Sequence, residues 1–168
     1  MEFWDILDES GNKTGKIIER GQPLGEGEFH LAVQVSLINC KSEFLIQKRS
    51  MKKYLRPGEW EIAGGAVLSG EDSMTGAIRE IQEELGIPLF PGELIFITRI
   101  KRKSYFFDLW TACIDFSLGD IVLQKGEVEE VKFVNACELV QVIFPLEYYS
   151  DDAYKQAMFD FLETLSRN

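Results

Sequence analysis

Histidine and cysteine are scarce in this chain, and both shortages exclude chemistry. A single histidine, His30, and three cysteines, Cys40, Cys113 and Cys137, stand far apart, with no Cys-x-x-Cys pair among them. That usage disfavours a zinc centre and a disulfide framework. The three thiols are therefore expected reduced, in the core or at the surface, and His30 is expected as a hydrogen-bonded structural imidazole ahead of an apolar strand. Positive charge is short as well: 18 Lys and Arg face 28 Asp and Glu, for a net charge of −10. Nucleic-acid backbones are bound by clustered cations, so a nucleic-acid polymer is disfavoured as partner, while small phosphorylated ligands stay accessible through bridging cations. No apolar run reaches the roughly 18 residues that cross a bilayer, and the opening Met1-Glu2-Phe3-Trp4-Asp5 lacks the basic and apolar segments of a secretion signal. No membrane partner and a cytoplasmic location are expected. Internal repeats and low-complexity stretches are missing too.

What is present fits one domain over residues 1–168, a length that lets roughly 70% of the unfolded surface be buried. Phe3 to Leu7 and Lys16 to Glu19 flank the turn-rich segment Asp8 to Asn12 and predict an N-terminal hairpin. Gly21 to Gly27 reads as a linker, Leu31 to Ile38 as a buried strand, and Phe44 to Arg49 as its hairpin partner across Asn39 to Glu43. Pro57-Gly58 breaks the chain before Trp60 to Ile62. Leu94 to Arg102 and Tyr105 to Phe116 predict a long hairpin over the basic turn Lys101-Arg102-Lys103-Ser104. Val128 to Val134 reads as a strand, Cys137 to Val142 as a short helix, and Ala153, Ala157, Met158, Phe161, Leu162 and Leu165 as the apolar stripe of a terminal helix. Mixed strands and helices of this kind imply an α/β sandwich.

The chemistry concentrates between Gly65 and Ile87: Gly65, five residues, Glu71, seven residues, then Arg79-Glu80-Ile81-Gln82-Glu83-Glu84-Leu85-Gly86-Ile87. Helix onset is expected near Asp72, capped by Ser69 or Asp72, with Gly86 as the C-terminal glycine. At about 100° per residue, Glu80, Glu83 and Glu84 share one face while Met74, Ile78, Ile81 and Leu85 share another. Like charges at i,i+4 destabilise a helix by roughly 0.2–0.5 kcal/mol per pair, and a hard divalent cation removes that cost. Mg²⁺ takes oxygen ligands and shares its shell between one or two carboxylates and substrate phosphates, which suits such a stripe. A solvated acidic helix would account for the carboxylates, but not for two glycines, an arginine and the aliphatic positions together. Arg79 at i,i+4 to Glu83 reads either as an ordinary ion pair or as a charge-assisted orienting contact.

At every fixed position this segment matches the signature of the Nudix hydrolase family, Gly-x5-Glu-x7-Arg-Glu-U-x-Glu-Glu-x-Gly-U with U aliphatic. Seven fixed residues coincide by chance in about one window in 10⁸, so the chain is identified as a member. The resemblance implies a Nudix-type α/β/α sandwich with a mixed sheet and the signature as loop-helix-loop. It further implies a hydrolase of a nucleoside diphosphate linked to another group X, dependent on Mg²⁺ or Mn²⁺. Glu80, Glu83, Glu84 and Gly65 are implied as metal-holding residues and Glu83, Glu80 and Arg79 as catalytic ones, with Glu71 supporting from behind. Gly64 and Gly65 let backbone approach a metal or phosphate closely. Glu127, with Glu129 and Glu130 beside it, is a candidate base outside the signature, and Arg49 and Lys48 are candidate diphosphate contacts. A homodimer is the implied assembly, the exposed Phe3 and Trp4 of the N-terminal hairpin offering an apolar edge.

Beyond the signature, Trp4 to Asp8, His30-Leu31-Ala32 and Leu45 to Ser50 resemble the Nudix subgroup related to isopentenyl-diphosphate isomerase. Those isomerases carry a cysteine just before the signature glycine and a histidine just after it. Here Gly64 and Ala66 stand in those places, which argues against isomerase chemistry. An isomerase-like enzyme and a non-catalytic nucleotide-binding Nudix module are the alternatives. Trp4, Tyr54, Tyr105, Phe107 and Trp110 are candidates to stack on a base, although strand aromatics are more often core.

Overall fold

The computed structural model describes residues 1–166. The N-terminal hairpin pairs β1 (Phe3–Leu7) with β2 (Lys13–Glu19) as its own two-stranded sheet. Its turn is closed by Asp8, whose side chain accepts from the Ser10 and Asn12 amides at 2.8 and 2.9 Å. The larger sheet contains β3 (His30–Ile38), β4 (Phe44–Arg49), β5 (Trp60–Glu61), β6 (Gly64–Ala66), β7 (Leu94–Lys101), β8 (Tyr105–Cys113) and β9 (Val128–Val134). Among the described residues three α-helices pack with the sheets: α1 (Ser73–Leu85), α2 (Ala136–Ile143) and α3 (Asp152–Ser166).

The strand partners differ from the sequence expectation at one place. Asn39 to Glu43 does turn β3 toward β4, but the two strands register only at Ile38 and Phe44. They then diverge: β3 runs parallel to β8 from His30–Tyr105 to Ile38–Cys113 and takes β6 on its other side, while β4 pairs β9 and β5. Parallel and long-range pairings leave no local trace in the sequence. The gap between the diverging β3 and β4 is where β5, β6 and their polar residues enter.

Period-two alternation sorts side chains onto two faces. Val33, Val35, Leu37 and Leu45 pack against Ala77, Ile81 and Leu85 of α1, and Ile46, Phe107 and Leu109 pack against Leu139 and Ile143 of α2 and Tyr154, Met158 and Phe161 of α3. The result is the α/β/α sandwich with a mixed sheet. In α3 the anchor is Tyr154, fully buried, whereas Ala153 and Leu165 of the expected stripe are exposed. At the N-terminus Trp4 turns inward and stacks on His30, centroids 4.2 Å apart. Only Phe3 of the expected apolar edge stays outside, at 45% exposure. All three cysteines are free and exposed.

Candidate active site

Helix α1 starts at Asp72, whose carboxylate accepts from the Thr75 amide at 2.8 Å, and stops at Gly86 in left-handed geometry, φ 69°. Gly76 lets it approach β6, since a Cβ there would stand 2.9 Å from a Val67 methyl. The docking sinks Ile81 and Leu85, worth about 1.5–3 kcal/mol each, and drags two glutamates down with them. Glu84 is 7% exposed. Its Oε2 accepts from Gln47 Nε2 at 2.8 Å, yet burial dominates and pushes the carboxyl up to about 8. Burial raises Glu80 as well, with Arg79 opposing. Glu83 and Glu84 also occupy the last helical turn, where no basic residue balances the helix dipole and anions are disfavoured.

Arg79 ties this stripe together. Its Nε and Nη2 donate to Glu71 at 2.8 and 3.0 Å, Nη2 also donates to the Ala66 carbonyl at 2.9 Å, and Nη1 reaches Glu80 at 3.0 Å and Glu83 at 3.2 Å. Burial works against the guanidinium charge, but Glu71 and Glu80 outweigh it and raise its pKa. Arg79 thus both pairs with its helix neighbour and spans the carboxylates of Glu71, Glu80 and Glu83. Glu71 completes the loop by accepting from the Leu68 amide at 2.9 Å. Gly65 lies directly under Glu80: a Cβ there would stand 2.5 Å from the carboxylate. Gly64 also lines the cleft, but its missing side chain faces the Val33 carbonyl of β3, a packing requirement of the sheet.

A second wall joins this one through Gln47. Besides Glu84, its Nε2 reaches Glu61 Oε1 at 3.3 Å, and among the described residues its own buried Oε1 finds no hydrogen-bond partner. Glu61 is 3% exposed and held by two guanidiniums, Arg49 Nη1 at 2.8 Å and Arg56 Nη2 at 3.0 Å. Lys53 and Glu127 form an ion pair at the same cleft. Lys48 is not there: alternation along β4 puts Arg49 at the cleft, with Gln47 buried on the same face, and Lys48 on the other, 3.8 Å from Glu130. Glu129 is turned to the Met51 amide. Sequence reasoning therefore missed Gln47, Lys53, Arg56 and Glu61. The available signal was Glu61 itself, a charge enclosed between Trp60 and Ile62.

The walls enclose a cleft of about 630 Å³ lined by Arg79, Glu80, Glu83 and Glu84 on one side and by Arg49, Lys53 and Arg56 on another. Its third side is aromatic, with Trp4, Tyr105 and Phe107. His30 sits between Trp4 and Tyr105, the latter with centroids 5.4 Å away, and burial lowers its pKa. Among the described residues the ring's one polar contact is Leu31 O at 3.4 Å, so stacking holds it. Trp110 belongs to the core, donating to Ser73 Oγ at 2.9 Å, and Tyr54 is 95% exposed.

The NUDIX domain family matches residues 28–165. The chain belongs to the Nudix family. An uncharacterized Nudix hydrolase of Listeria monocytogenes is 42% identical over 146 residues, covering 83% of each chain. More distant is an isopentenyl-diphosphate Delta-isomerase of Pectobacterium atrosepticum, 27% identical over 91% of this chain and 79% of that one. A crystal structure from Deinococcus radiodurans shares the fold at a TM-score of 0.73 and 22% identity, covering 94% of this chain and 98% of that one. The protein is therefore a Nudix hydrolase, of the pyrophosphohydrolase class in general. The isomerase position is occupied by Gly64, and none of the three exposed cysteines lines the cleft.

Nudix hydrolases generally use divalent metals such as Mg²⁺, and the donor set suits one. Among the described residues no three His, Cys, Asp or Glu side chains form a ready-made cage, because Arg79 engages Glu80 and Glu83 while Gln47 holds Glu84. Mg²⁺ does not need a cage, since it keeps waters and borrows phosphate oxygens. A buried carboxylate, Glu84, and a largely covered one, Glu80, beside a glycine backbone are what such a cation would relieve.

Proposed function

We propose that this Nudix hydrolase cleaves the diphosphate bond of a nucleoside diphosphate linked to a further group X, with Mg²⁺ or Mn²⁺. The observation that carries the reading is the meeting of a carboxylate wall, Glu80, Glu83 and Glu84, with a cationic wall, Arg49, Lys53 and Arg56, in one cleft. Glu80, Glu83, Glu84 and the Gly65 backbone would hold the metal. When bound, it neutralises phosphate charge and acidifies a water. Arg79 orients Glu80 and Glu83 through Nη1 while Glu71 fixes the other edge of its guanidinium. Glu83, half exposed at the cleft, would take the proton of the attacking water, and Glu127, paired to Lys53, is the second candidate base. Arg49 and Lys53 bind the phosphate oxygens, and the Trp4 and Tyr105 wall takes a planar group.

The test is a phosphate-release screen over nucleotide sugars, dinucleoside polyphosphates, damaged nucleotides and prenyl diphosphates, each with Mg²⁺ and with EDTA. Metal-dependent hydrolysis of a nucleoside diphosphate derivative is expected. Conversion of isopentenyl diphosphate to its dimethylallyl isomer would overturn the reading.

A further inference from the structure

Between β4 and β5 the chain turns through Arg56 in left-handed backbone geometry, φ 52°. A long side chain adopts it only where the surroundings over-determine it, and such positions cluster at functional sites. The surroundings here all act on the guanidinium. Nη2 donates to Glu61 at 3.0 Å, and the guanidinium carbon lies 4.0 Å over the Tyr148 ring. Tyr148 has Arg102 over it as well, at 4.9 Å. Nη1 is enclosed, with no hydrogen-bond partner among the described residues and a long ion pair to the Glu59 carboxylate at 3.9 Å. The side chain as a whole stays 25% exposed and lines the cleft, so a ligand entering there meets a guanidinium already fixed in place.

We infer that Arg56 is a substrate-binding residue whose guanidinium meets a phosphate oxygen in the cleft, and that Glu61 is the positioning residue that sets Arg49 and Arg56 as a pair. Glu61 gives one carboxylate oxygen to each arginine, at 2.8 and 3.0 Å, so two positive charges share one negative and a net positive charge faces the ligand. A planar guanidinium presents N–H groups in a fork that matches phosphate oxygens. The inference rests on the reading of the cleft as a diphosphate site, and it assigns the recognition to residues outside the signature.

Calorimetric titration with methylenediphosphonate, in Mg²⁺ and in EDTA, tests it on the parent, Arg56→Gly and Arg56→Lys. Glycine accepts the left-handed geometry without strain, so the first variant should unfold near the parental temperature. Its affinity should fall about 10- to 100-fold in both media, the scale of one charge-assisted hydrogen bond. Lysine keeps the charge and loses the fork, so an intermediate loss is expected. Parental affinity, within twofold, in Arg56→Gly overturns the assignment. If Arg56→Gly does not fold, Arg56→Lys decides alone: parity with the parent overturns the assignment and a several-fold loss upholds it. A parent that does not bind the probe even with Mg²⁺ overturns the diphosphate reading itself, and this inference with it. For Glu61, Glu61→Gln should weaken binding more in the parent than in Arg56→Gly, where Arg49 alone is left for it to position; fully additive losses overturn its positioning of Arg56.

Discussion

Replacing Glu84 by Gln should flatten the pH dependence of stability of the metal-free protein. Glu84 is nearly enclosed by the α1 contact, and its burial moves the carboxyl from 4.5 up to about 8. The folded state therefore holds a proton that the unfolded chain has lost. Stability from this group is complete below the unfolded value and drains away as pH climbs toward the folded one, at up to about 1.4 kcal/mol per pH unit. Between about pH 5 and 7.5 the metal-free fold should lose about 3 kcal/mol, equivalent to roughly 6–12 °C in melting temperature for a domain of this size. Glu80, also raised by burial, adds in the same direction. His30 acts oppositely: burial lowers its pKa, so it favours the fold as pH rises through the ordinary histidine value. The observable is thus the difference between parent and Glu84→Gln, followed by thermal unfolding in EDTA across this range. The parent should lose stability with pH more steeply than the variant. Identical slopes would refute the argument that a buried, proton-holding Glu84 strains the metal-free site.

Two further sets of substitutions separate site from scaffold. Gly65→Ala puts a Cβ 2.5 Å from the Glu80 carboxylate, the far end of a flexible side chain, so melting should shift little while turnover falls about 10- to 100-fold from misplacement of that group; Gly64→Ala meets the β3 backbone instead and should cost about 3 kcal/mol or more of stability, both read by thermal unfolding beside a turnover assay. Glu71→Gln loosens the two-point hold on Arg79 and should lower turnover about 10- to 100-fold, as loss of an outer support to metal ligands commonly does, with kinetics of parent and variant as the check.

Helix α1 was legible in the sequence, because its cap, expected at Ser69 or Asp72 and found at Asp72, its stop at Gly86 and the 3.6-residue period are all local. The two hairpins at Asp8 to Asn12 and Lys101 to Ser104 were legible for the same reason. The pairing of β3 with β8 was not, since a parallel neighbour some seventy-five positions away in sequence leaves no mark on either strand. That pairing parts β3 from β4 and opens the cleft wall to Glu61, Gln47 and Arg56. Lys48 and Arg49 are adjacent in sequence and equally basic, and only the facing of β4 decides between them. The inward turn of Trp4 follows from where β8 delivers Tyr105 beneath His30, another long-range fact.

The glutamate stripe as the seat of diphosphate hydrolysis is tested most directly by Glu83→Gln. The substitution keeps the shape and most of the hydrogen-bonding reach, removes the charge at the half-exposed carboxylate that meets Arg79 at 3.2 Å, and relieves repulsion within α1. Hydrolysis of the best nucleoside diphosphate derivative from the screen is measured with Mg²⁺ for parent and variant, beside their thermal unfolding. The expected result is a loss of about 10²–10⁴-fold in turnover with melting unchanged or raised. Turnover within threefold of the parent, in a folded variant, would contradict it.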